Sequence, residues 1–101
     1  MADTNRNPTV PASPRWFALG KLAATPGALA DFTMEEIAER LERHAANDWG
    51  DMDPEDLAAN DAALEEGSRV FSSYQFPDGR KLWVITEASR ESTMALRPED
   101  Y

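Results

Sequence analysis

The sequence predicts a single α+β domain, built from an N-terminal strand, two acidic helices and a three-stranded antiparallel meander at its C-terminal end. Three observations carry this reading. Apolar residues recur at helical spacing after Thr33, a stretch led by Pro54 and closed by Gly67 has helix-start and helix-stop chemistry, and two runs of period-two alternation flank the turn at 77–80. At 101 residues the chain supports one modest core and is too short to divide into two. Its 42% apolar content argues against wholesale disorder.

Residues 1–14 contain Pro8, Pro11 and Pro14 among small polar residues and show no periodicity, which predicts a flexible arm ahead of a domain over 15–101. From Trp16 to Ala24 the run WFALGKLAA suits a strand, with Phe17, Leu19 and Lys21 on one side and Trp16, Ala18 and Leu22 on the other. Thr25-Pro26-Gly27 interrupts it, and ALADF at 28–32 can make a brief helical turn.

Thr33 and Glu36 stand in capping-box positions, each side chain able to satisfy an amide left unpaired at a helix start. Met34, Ile37, Ala38, Leu41 and Ala45 then define the expected buried stripe. Glu36 with Arg40, and Glu39 with Arg43, are spaced for helical ion pairs of roughly 0.2–0.5 kcal/mol each. His44 reads as a surface group interacting with the C-terminal end of this helix.

The loop NDWGDMD follows. Asn47 and Gly50 tolerate left-handed backbone, and Trp49 is expected to plug the space between the helices, with exposure to a partner as the alternative. Asp53 can cap a second helix, with Pro54 in its first turn and Glu55 and Asp56 complementing its dipole. Leu57, Asp61 and Leu64, with Asn60 beside them, form only a thin inward stripe. Either this helix packs shallowly or Asn60 and Asp61 hydrogen-bond the 48–53 loop, since a buried side chain without a partner costs too much.

SRVFSSYQF at 68–76 places Val70, Ser72, Tyr74 and Phe76 on one strand face and Phe71 on the other. After the PDGR turn, KLWVITEA alternates Leu82, Val84 and Thr86 with Trp83 and Ile85, so the two strands read as an antiparallel hairpin. A third strand over 92–97 extends the meander until Pro98 ends regular pairing. Phe71, Trp83, Ile85 and Leu96 leave a second apolar sheet face that needs cover from the first strand, a helix or another subunit.

Charge narrows the classes of partner. Residues 33–67 hold twelve Asp or Glu against two Arg, a net −10 in a chain whose total is −9. Such a balance opposes direct binding to nucleic acid or anionic membrane and favours a basic partner. Zero cysteines exclude disulfide and thiol chemistry, and a lone histidine argues against structural zinc. No signal-like or membrane-spanning apolar run is present, so cytoplasmic residence is expected. Asp51, Asp53 and Asp56 invite a divalent-cation reading, but DWGDMDPED lacks the glycine and terminal glutamate of an EF-hand loop. His44, Asp48 and a serine make a catalytic triad only on paper, without a nucleophile elbow. No catalytic, metal or cofactor site is therefore expected.

His44, Asp48-Trp49-Gly50-Asp51, Glu55-Asp56, Asn60, Trp83-Val84-Ile85-Thr86-Glu87 and the 98–101 ending together resemble a group of small uncharacterised acidic proteins of bacterial chromosomes, plasmids and genomic islands, some labelled plasmid-related or restriction-system-related. The resemblance covers most of the chain from Trp16 onward. It implies association with mobile genetic elements and, with the charge, a protein-interaction module that imitates DNA toward a basic nucleic-acid-binding or host-defence protein. Glu35, Glu39, Glu42, Asp48, Trp49, Asp51, Asp53, Glu55 and Asp56 are the expected protein-binding residues. Thr33, Glu36, Trp49, Asp53, Asn60 and Asp61 are expected to clasp the two helices together. The alternatives are a small homodimeric accessory or regulatory protein pairing through its apolar sheet face, a divalent-cation-binding protein, and carboxylates that serve only as caps and solvated helix faces.

Overall fold

Local chemistry sets the helices. Thr25 caps a short helix, α1 (Pro26–Asp31), its hydroxyl accepting from the Ala28 amide at 3.1 Å with Pro26 in the first turn. Thr33 and Glu36 form the reciprocal capping box that starts α2 (Met34–Ala45), at 3.0 and 2.9 Å. The third helix, α3 (Pro54–Glu66), ends where Gly67 turns left-handed at φ 78°. Its N-cap position is occupied by Asp53, whose side chain makes no capping hydrogen bond.

The computed structural model describes residues 17–101, so the arm expected over 1–14 and the first two residues of the expected domain lie outside the described residues. Four strands follow in chain order: β1 (Lys21–Ala24), β2 (Val70–Gln75), β3 (Lys81–Thr86) and β4 (Ser92–Leu96), with a 3₁₀ turn at Pro98–Asp100. They form one sheet in the order β1-β4-β3-β2. The expected meander is present: β2 and β3 pair antiparallel with Val70 opposite Thr86, and β3 and β4 with Trp83 opposite Leu96. The first strand completes the sheet by pairing parallel to β4, Lys21 opposite Ser92 and Ala24 opposite Ala95.

This strand is shorter than the run from Trp16 suggests. Gly20 sits at φ 67°, and a side chain there would collide with the backbone carbonyl of Glu91, so regular pairing starts only at Lys21. The helices cover one sheet face. Ala28, Phe32 and Ile37 pack there on Tyr74, Phe76, Leu82, Val84 and Ala95, while Trp49 and Ala63 pack on Val70. Phe71, Trp83, Ile85, Met94 and Leu96 fall on the opposite face by strand alternation.

Three expectations for α2 are corrected. Ile37, Leu41 and Ala45 of the expected stripe face inward and His44 joins them, whereas Met34 is 69% exposed and Ala38 also faces outward. The expected pairs are replaced: Glu36 pairs with the distant Arg80 at 2.8 Å, Arg43 with Asp48 in the following loop at 2.7 Å, and Glu39 meets its neighbour Arg40. His44 is fully buried rather than at the surface.

Candidate functional site

The loop between α2 and α3 fits against the free side of β2. Asn47 at φ 67° and Gly50 at φ 84° turn the chain back on itself, and any side chain at Gly50 would run into the Ser73 carbonyl and the Tyr74 ring. Because that approach is open, Ser73 donates its amide to the Trp49 carbonyl at 3.1 Å and accepts from the Asp51 amide at 2.6 Å. The Asp51 carboxylate accepts from the Gln75 amide at 2.8 Å. Asn60 reproduces a strand partner for Phe71, accepting from its amide at 3.1 Å and donating to its carbonyl at 2.5 Å. The edge of β2 is thus closed at Phe71, Ser73 and Gln75 in turn.

Trp49 is the expected plug. It is 4% exposed, its indole N–H donates to Asp61 at 3.2 Å, and its ring lies 6.0 Å from Phe17 and 5.6 Å from His44. That burial removes it from any accessible protein-binding surface. Asp61 does reach the loop as expected, but Asn60 is directed mainly to β2, because the backbone there has no other partner. Tyr74 donates its hydroxyl to the Asp48 carbonyl at 2.6 Å, and burial pushes the phenol well above its usual range.

The acidic candidates divide into held and free groups. The hydrogen bond from Arg43 holds the Asp48 carboxyl below its usual range, so this charge is already answered. Glu36 is lowered chiefly by Arg80 and then by its cap to Thr33. Glu39 is paired with Arg40, and Asp51 is occupied by the Gln75 amide. Glu35, Glu42, Asp53, Glu55 and Asp56 are exposed and join none of the ion pairs among the described residues.

Three carboxylates, Asp51, Asp53 and Asp56, line one wall of an open groove of about 310 Å³ whose other side is Phe71, Ser73, Lys81 and Trp83. Phe71 and Trp83 meet edge to face at 5.0 Å, and Tyr101 meets Trp83 at 5.7 Å. An acidic wall beside aromatic rings suits an organic cation such as a guanidinium or ammonium group. Among the described residues no three His, Asp or Glu side chains converge as a metal site. The neighbourhood of Phe71 and Trp83 to the acidic loop was invisible in sequence, since it depends on the backbone bridge from Gly50 to Ser73. Gly50 was the available signal.

A second polar constellation is buried. His44 Nδ1 lies 2.5 Å from Ser72 Oγ and Nε2 lies 2.9 Å from Thr86 Oγ1; Thr86 is 2.7 Å from Thr93, whose hydroxyl donates to the Leu19 carbonyl at 2.7 Å. That terminal acceptor orients the series: Thr86 donates to Thr93, His44 Nε2–H donates to Thr86, and Ser72 donates to His44 Nδ1. Burial lowers the imidazole pKa to about 3, with Arg90 adding to the shift, so the ring is neutral. Ser72 and His44 are both inaccessible to solvent, which makes this serine–histidine pair a packing element rather than a reactive one.

The curated relatives that the chain matches share only a short stretch with it. The chain is 32% identical over 66 residues to an isoleucine--tRNA ligase of Cronobacter sakazakii, 30% over 66 residues to that of Sodalis glossinidius, and 30% over 61 residues to that of Cupriavidus metallidurans. These matches take in 65%, 65% and 60% of this chain but span only 6% of each relative's length. No family model matches. No solved structure matches.

Proposed function

We propose that this chain is a non-enzymatic interaction module that binds a basic, nucleic-acid-handling protein by presenting carboxylates in place of phosphates. The groove between the 51–56 segment and the Phe71–Trp83 pair carries the reading, because it combines negative charge with aromatic surface. Asp53, Glu55 and Asp56 supply exposed charge beside it, and Glu35 and Glu42 extend the acidic surface along α2. An arginine side chain entering the groove can stack on an aromatic ring while its guanidinium meets carboxylate, a combination that lysine-only or apolar partners exploit less well.

The relatives support a partner of this kind in one respect. They are named as ligases of tRNA, and the shared stretch is too small a part of them to be their whole catalytic body. A small module working beside nucleic-acid-handling machinery fits that distribution. The reading places the chain in the cytoplasm, and no described helix is long and apolar enough to cross a membrane.

The test is affinity capture from a bacterial host extract followed by competition with duplex DNA or tRNA. The expected outcome is a basic nucleic-acid-binding protein that either competitor displaces and that Asp53→Asn/Glu55→Gln/Asp56→Asn no longer retains. Capture undiminished in this triple variant, or indifferent to both nucleic acids, overturns the mimicry. Self-association, the other expectation, finds its geometric support at the opposite edge of the sheet rather than on the open face.

A further inference from the structure

We propose that the outer edge of β1, with the apolar groove beside it, is a self-association surface on which a second copy of this chain pairs antiparallel about a twofold axis at Ala23. The two edges of the sheet are treated differently. Asn60, Trp49 and Asp51 close β2 residue by residue, whereas among the described residues nothing lies along the outer side of β1.

The strand's ladder shows which groups are left over. Lys21 donates its amide to the Glu91 carbonyl at 2.9 Å and Thr25 donates to Ala95 at 3.0 Å. Backbone groups alternate in a parallel ladder, so Leu22 and Ala24 turn both N–H and C=O outward. A second β1 running antiparallel, with Ala23 opposite Ala23, places each Leu22 opposite the other copy's Ala24. These two hydrogen-bonded pairs exchange four bonds and join the sheets of the two copies into one.

Side chains agree with that register. Of the five large apolar residues exposed among the described residues, Leu22 (58%), Leu29 (50%) and Met34 (69%) line one groove between β1 and α2, of about 310 Å³. Antiparallel pairing brings the grooves of both copies to the same side of the joined sheet, where these residues cover one another. Charge is complementary as well. Lys21 comes opposite Thr25 of the second copy, whose hydroxyl is bound to Asp100 at 2.6 Å in the acidic turn that also carries the exposed Glu99. Arg97 already holds Asp100 at 2.8 Å and lies 3.7 Å from Glu99, so the exposed Glu99 carboxylate is the group left to meet Lys21, the one cation of β1, from the other chain.

Size-exclusion chromatography with light scattering, from about 10 μM to about 1 mM full-length protein, tests the arrangement, and a concentration-dependent dimer is expected. Leu22→Glu and Met34→Glu alter exposed side chains and should each weaken dimerisation by ~100-fold or more while leaving the far-ultraviolet circular dichroism unchanged. Lys21→Glu should weaken it about tenfold, and adding Glu99→Lys should restore it. Met94→Glu, on the open sheet face, should leave the dimer intact. A monomer throughout the range overturns the proposal. So does a dimer that survives Leu22→Glu and Met34→Glu, or one that only Met94→Glu disrupts.

Discussion

At the scale of single residues, His44 shows how a polar group is kept in a small core. Both ring nitrogens are engaged, by Ser72 and Thr86, and Phe17 and Trp49 pack edge-on to the ring at 5.4 and 5.6 Å. Its proton balance is tied to folding. The folded pKa of about 3 lies below the ordinary 6.5, so between those values the unfolded chain binds the extra proton and stability rises with pH. The contribution is complete above pH 6.5 and is lost as pH falls toward 3, at most about 5 kcal/mol. Carboxylates act in the same sense but at lower pH: Glu36, Asp48 and Asp78 are lowered in the fold, chiefly by hydrogen bonds from arginine, so their contribution is present above their ordinary 4.5, 3.8 and 3.8 and fades below. Denaturant melts at several pH values separate the two. Wild type should begin to lose stability near pH 6.5, whereas His44→Gln, which keeps one donor and one acceptor, should stay flat until the carboxylates protonate. A wild-type midpoint that is constant from pH 7 to 5 would refute the buried neutral imidazole.

At the scale of elements, what the sequence revealed was what neighbouring residues decide. The Thr33–Glu36 box, the helix bounded by Pro54 and Gly67, and the hairpin across 77–80 each arise from contacts a few residues apart, and each is present. Contacts across the chain were not legible. The parallel docking of β1 on β4 joins residues about seventy positions apart, and no periodicity within a strand encodes its neighbour. Glu36 was expected to pair with Arg40, but the fold brings Arg80 to it. Asn60, for which the loop was one of two expected fates, reaches Met52 there at 3.8 Å but chiefly answers Phe71. The site shared this fate: the acidic residues could be named, while the aromatic side of their groove comes from strands that start fourteen or more residues later. Asn60 also gives a test of the edge closure. Asn60→Ala leaves the Phe71 amide and carbonyl without partners and should cost about 1–3 kcal/mol in urea denaturation. Hydrogen exchange at the Phe71 amide should quicken at the same time. Asp61→Ala leaves one donor, the Trp49 indole N–H, without its acceptor where Asn60→Ala leaves two backbone groups, and should cost less, about 1 kcal/mol. Equal losses in the two variants would show that β2 does not depend on Asn60.

At the scale of the whole molecule, charge is segregated rather than merely abundant. Residues 33–67 carry net −10, and the remaining residues of the chain carry net +1. Two arginines tie that acidic layer and the chain's end to the rest of the fold: Arg80 to Glu36 and Asp78, and Arg97 to Asp31 and Asp100. These contacts are short, 2.8 Å for Arg80–Glu36 and for Arg97–Asp100, whereas repulsion among the free carboxylates of α2 and α3 acts over longer distances. Salt discriminates between them, since the Debye length falls from about 30 Å at 0.01 M to about 8 Å at 0.15 M. Screening should relieve the distributed repulsion more than it weakens the contact pairs. The melting temperature should therefore rise by about 2–5 °C over that range. A fall would mean that the arginine ties, rather than the accumulated negative charge, govern the electrostatic part of stability. The same field acts in the opposite sense toward a cationic partner, for which low salt accelerates encounter. Under the proposed function, the surface whose self-repulsion should oppose folding is the same one that a basic partner would neutralise.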